Sequence, residues 1–109
     1  MRDRIRAAAS GAAPAPADEA LRLQPYRVRL ILDAAATRIQ AMTPHAPMTE
    51  ACRFTEIQIS TWDHHGVYNS VSVGRDITAA LAVVQPLPLT GTRTQYAHAV
   101  RQLAHRATS

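Results

Sequence analysis

Apolar and polar residues alternate along two stretches of this chain, Arg53–Trp62 and Val67–Val73, at the period of two of a half-buried strand. Between them stands Asp63-His64-His65-Gly66. A two-residue loop at His64 and His65 would pair Ile57 and Ile59 with serines. A three-residue loop, His64-His65-Gly66, instead pairs Ile57 with Val73 and Ile59 with Val71, and places Gly66 where the turn needs a left-handed residue. A one-residue slip would turn every side chain to the other face, so pattern and turn chemistry select the same register. The pattern predicts an antiparallel β-hairpin over about 53–74. Its polar face carries Trp62 and Tyr68 as cross-strand neighbours at the tip.

The flanking stretches read as helices. Asp18 and Glu19 suit a helix N-terminus, and Pro25 fits the first turn of a longer helix ending near Met42. Leu30, Ile31, Ala34, Ile39 and Met42 form its expected buried stripe. Tyr26–Leu32 also alternates, so a strand entering the helix at Asp33 competes. Pro44 and Pro47 break the chain. Asp76 fits the N-cap of a short helix carrying Ile77, Ala80, Leu81 and Val84 inward, stopped by Pro86. Thr92-Arg93-Thr94-Gln95 has the form of a capping box. The helix it opens would turn Tyr96, Val100, Leu103 and Ala107 inward, and His98, Arg101, Gln102 and His105 outward.

The expected fold class is therefore α+β: an N-terminal helix, the hairpin, and two C-terminal helices packed on one sheet face. Residues 1–17, rich in Arg, Ala and Pro, read as a flexible arm, and 18–109 as a single small domain. Because a lone two-stranded sheet is marginal and both its edges are open, a homodimer is expected, formed by strand pairing or by docking of the helices.

Composition narrows the function classes. The chain has 109 residues, 47% of them hydrophobic, and a net charge of +4. All twelve basic residues are arginine, which with the alanine richness suggests the codon bias of a GC-rich bacterial or phage genome. Cys52 is the single cysteine, so no intramolecular disulfide can form. No run approaches a membrane span, no leader-like apolar segment follows the N-terminal arginines, and the cytoplasm is the expected compartment.

Candidate chemistry is sparse. His64 and His65 diverge at a turn tip, and His98 and His105 are two helical turns apart, so no metal site and no cofactor are expected. No nucleophile has a base and an orienting group placed beside it, and an enzyme is not expected. The reading is a small interaction or regulatory protein that binds another macromolecule, a protein before a nucleic acid. Its candidate contacts are Trp62, Tyr68, His64, His65, Arg101, His98 and His105. Arg2, Arg4, Arg6, Arg75 and Arg93 serve the nucleic-acid alternative.

The alternative draws on one resemblance. Val71-Ser72-Val73-Gly74, a short helix, Thr90-Gly91-Thr92-Arg93-Thr94 and a second helix resemble a ribbon-helix-helix repressor over about the last forty residues. That resemblance implies a dimer whose paired strands enter the DNA major groove. Pro86 and Pro88 lengthen the connection between the helices, and Ser70 and Ser72 carry little base-reading chemistry.

Overall fold

The computed structural model describes residues 16–66 and 70–107. Most of the expected arm, with Arg2, Arg4 and Arg6, lies outside these residues, and so does Tyr68. Four helices account for most of what is described: α1 (Pro16–Met42), α2 (Glu50–His65), α3 (Val71–Val84) and α4 (Arg93–Ala107). Among the described residues there is no strand, only an isolated bridge between Pro47 and Thr92. The fold is all-helical, and the α+β class with its hairpin is overturned.

The first hairpin strand lies inside α2, and Val71–Val73 form the first turn of α3. The alternation of 54–62 also satisfies a helix, because Ile57, Ser60 and Thr61 recur at the i, i+3, i+4 spacing and are the residues α2 buries. Thr61 is accommodated by donating its hydroxyl back to the Ile57 carbonyl at 2.7 Å. Capping chemistry agrees with this period. The Thr49 hydroxyl accepts from the Cys52 N–H, and the Ser70 hydroxyl accepts from that of Val73. Gly66 is left-handed as expected, with φ 73°, but it closes a helix rather than a hairpin: its N–H donates to the Trp62 carbonyl at 2.8 Å.

Asp76 is likewise not an N-cap. Ser70 takes that role, and Asp76 lies in the body of α3 with no exposed surface. In α1, Pro25 stands within one continuous helix instead of opening a second, and 26–32 is helical. Ile31 and Ile39 are buried as expected, whereas Leu30, Ala34 and Met42 face outward. The buried stripe runs instead through Val28, Ile31, Leu32, Ala35, Ala36 and Ile39. Burying side chains such as Ile31 and Leu32 contributes roughly 1.5–3 kcal/mol each.

The capping box forms as read: the Gln95 N–H donates to Thr92 Oγ1 at 3.2 Å, and the Thr92 N–H donates to Gln95 Oε1 at 2.8 Å. Tyr96 and Val100 are buried below it, but Ala97 and Ala104 share the inner stripe where Leu103 was expected, and Leu103 is half-buried.

α1 is the central element and packs against all three other helices, while the backbones of α2 and α4 do not meet. The loops before α2 and before α4 are stitched together at one end of the bundle. Arg93 N–H donates to the Ala46 carbonyl at 2.9 Å, and Thr94 N–H to that of Pro44 at 3.0 Å. The Arg93 guanidinium adds a bond of 2.6 Å to Thr43 Oγ1. Gly91, at φ 84°, makes the turn into this junction.

Candidate functional site

The densest polar arrangement is centred on Asp76. From α1, Arg27 Nε donates to Asp76 Oδ2 at 3.0 Å and Nη2 to Oδ1 at 3.4 Å. Gln24 Nε2 adds a bond to Oδ1 at 3.2 Å. From the last turn of α2, His65 Nε2 lies 2.8 Å from Oδ2. Burial alone would raise the Asp76 pKa. Hydrogen bonds from Arg27, His65 and Gln24, with the charge of Arg27, outweigh it and hold the carboxyl below the ordinary value. The carboxylate thus joins three helices. A carboxylate beside an imidazole is also the orienting half of an acid–base triad, but no serine, threonine or cysteine hydroxyl or thiol is bonded to His65 among the described contacts. This cluster reads as a structural tie.

A second polar region lies at the other end of α2. Burial pushes the Cys52 thiol above its ordinary pKa; Arg93 works against that and Glu56 with it. A raised thiol is the opposite of an activated nucleophile. Burial likewise raises Tyr96, with Arg53 opposing, and its hydroxyl has no hydrogen bond of ordinary geometry. Among the described residues no group of three His, Cys, Asp or Glu side chains is placed to hold a metal ion.

The surface is more informative than these interior groups. The outward side of α1 carries Tyr26, 62% exposed, and Leu30, 37% exposed, followed by exposed Ala34, Thr37 and Ala41. These positions fall within a quarter of the helical circumference and make a ribbon opposite the buried stripe. Arg29, half-buried, flanks the ribbon, and Arg101 of α4 reaches its edge, donating to Thr37 Oγ1 at 3.3 Å and to Gln40 Oε1 at 2.9 Å. Asp33, on the same border, lies 3.5 Å from His105. A helix apolar on both sides is expected to be covered on both.

The expected contact residues do not converge. Trp62 is half-buried in α2, His64 is exposed at its end, and His65 is committed to Asp76. His98 is exposed on α4, while Arg101 and His105 border the α1 ribbon. Arg75 lies beside Gln24 near the start of α1, and Arg93 beside Thr43 just past its end. At 1.5 Å per helical residue that separates them by roughly 28 Å, so they do not make one basic patch. The strand that carried the ribbon-helix-helix resemblance is the opening of α3. No protein-family model, curated protein or solved structure matches the chain. No helix among the described residues is long and apolar enough to cross a membrane.

The sequence pattern hides the α1 ribbon, because Leu30 and Ala34 fit a helical core stripe as well as an outer face. Its signal was nevertheless in the sequence: Val28, Ile31, Leu32, Ala35 and Ile39 supply a complete buried face without them.

Proposed function

We propose that this is a non-enzymatic binding protein that receives an amphipathic helix of another protein along the outer face of α1. The observation that carries this reading is the uncovered ribbon from Tyr26 to Ala41 on the helix that organises the bundle. Tyr26 is the anchor, an aromatic with few rotatable bonds and a polar tip, and Leu30 supplies the adjoining apolar contact. Arg29 and Arg101 stand beside the ribbon, and the chain carries +4 overall. The partner helix should therefore present leucine-like residues on one face with Asp and Glu along the flanks.

A synthetic amphipathic helical peptide with a leucine face and glutamate flanks, fluorescently labelled, tests this by anisotropy. Binding should weaken at least about tenfold in Leu30→Glu and in Tyr26→Ala, and should be indifferent to exchanging Arg75 for glutamate. Peptide binding unaffected by both α1 substitutions would refute the site. Binding of a duplex oligonucleotide with a steep inverse dependence on salt would favour the nucleic-acid reading instead.

A further inference from the structure

Resting on the reading of α1 as a helix-binding face, we propose that His105 regulates that face: a proton on its imidazole offsets Asp33 and tightens the hold on an acidic-flanked helix.

α4 runs antiparallel to α1 along one border of the ribbon, and polar side chains join the two helices there in two rungs. His105 Nε2 lies 3.5 Å from Asp33 Oδ2. One turn earlier on α4, Arg101 donates to Thr37 Oγ1 at 3.3 Å and to Gln40 Oε1 at 2.9 Å. The Thr37 hydroxyl in turn donates to the Asp33 carbonyl at 3.1 Å. Arg101 is thus fixed by neutral groups and keeps its full charge beside the ribbon. Asp33 is held more loosely. Its Oδ1 is buried with no hydrogen-bond partner, and Oδ2 meets His105 at a distance long for a hydrogen bond. A carboxylate in that position gains more from a cation than from a neutral ring.

The charges around His105 set the sign of the effect. On α1 its charged neighbours are Arg29 and Asp33, and on α4 they are Arg101 and Arg106; α4 itself carries no acid. α3, the other helix packed on α4, has Arg75 and Asp76 as its charged residues, and Asp76 is committed to Arg27, Gln24 and His65. With a neutral imidazole, Asp33 cancels one of the two arginines, Arg29 and Arg101, that attract an acidic flank. A proton on His105 restores that positive charge. The His105 side chain is 52% exposed and that of Asp33 35%, so water and a docked helix both reach the pair. Imidazole is the side chain that ordinarily changes charge between about pH 5 and 8. The charge gained is positive, so binding tightens as pH falls and relaxes as pH rises. Exposure limits the gain to that of a surface ion pair, about two- to fivefold in affinity.

The labelled peptide with a leucine face and glutamate flanks tests this by anisotropy at about pH 5.5 and about pH 8, with circular dichroism confirming that each variant stays helical. The unaltered protein should bind about two- to fivefold more tightly at the lower pH. His105→Gln should show the weaker affinity at both pH values. Asp33→Asn should bind more tightly than the unaltered protein at the higher pH, because the opposing charge is gone. His98→Gln, which alters the exposed histidine two turns earlier on α4, should keep the full pH response. Replacing the peptide's glutamates by glutamine should abolish the response, which a merely structural role for His105 would not produce. Equal affinity at both pH values would overturn the proposal while leaving the α1 site in place. So would a full response in His105→Gln or with the glutamine peptide. Peptide binding that ignores Tyr26→Ala and Leu30→Glu would overturn the site and its regulation together.

Discussion

Replacing Asp76 tests the packing scheme most directly, because one carboxylate holds α1, α2 and α3 together. In Asp76→Ala, Arg27 and His65 lose the acceptor they share, and their side chains are only 19% and 16% exposed. Breaking a buried pair from one side costs ~3–5 kcal/mol, mostly the uncompensated charge left behind. The residual access of Arg27 to water places the expected loss at the lower end, about 3 kcal/mol. That is a large share of the ~5–15 kcal/mol by which a domain is stable. Asp76→Asn keeps the shape and one acceptor, and should lose about half as much. Urea unfolding at neutral pH measures both by linear extrapolation. A pH series adds an independent arm. The folded pKa of Asp76 lies below its unfolded value of 3.8. Its contribution is therefore complete above that value and is lost as pH falls through the lower, folded pKa. The gap between wild type and Asp76→Asn should narrow as the pH falls through the folded pKa of Asp76. Losses below about 1 kcal/mol in both variants would refute the tie. A gap that widens in acid would refute the charge argument.

Two further substitutions probe the backbone and the interior. Gly91→Ala should cost about 1–2 kcal/mol in the same urea assay: the residue sits at φ 84°, and a Cβ there would collide with the Gln95 side chain that caps α4. Equal midpoints would show that the junction before α4 relaxes freely. Ser60→Ala should raise stability by up to about 1 kcal/mol, since its buried hydroxyl has no hydrogen-bond partner and alanine suits a helix interior; a clear loss would mean that the hydroxyl is satisfied.

The legible and illegible parts of the fold divide along physical lines. Helix ends were readable where a side chain caps them locally, as at Thr92 and Gln95, and where proline forbids continuation, as after Met42 and Val84. The special conformation of Gly66 was readable too. Its partner was not, because a left-handed glycine closes a helix as well as a three-residue hairpin loop. The decisive difference lay at Thr49 and Ser70, whose hydroxyls cap helices on either side of that glycine. Given those caps, 50–65 is a sixteen-residue helix, and the alternation in Ile57-Gln58-Ile59-Ser60 is incidental. Asp76 was illegible for another reason. A carboxylate ahead of an apolar helix resembles a cap, and only the placement of Gln24 and Arg27, about fifty residues earlier, turns it into a buried acceptor.

That long-range placement also explains why the interior offers little chemistry while apolar side chains are left on the surface. The titratable groups gathered inside are consumed by holding helices: Asp76 is saturated with donors, and burial moves Cys52 and Tyr96 away from reactivity. With one face of α1 filled by Val28, Ile31, Leu32, Ala35 and Ile39, the remaining apolar residues have no interior to enter. Tyr26 and Leu30 stay outside on α1, and Phe54 and Val71 on α2 and α3. A monomer gains nothing by exposing them, since each forgoes part of the ~25 cal/mol per Å² that burial supplies. Those on α1 group into a ribbon, which an acidic-flanked helix suits because Arg29 and Arg101 stand alongside.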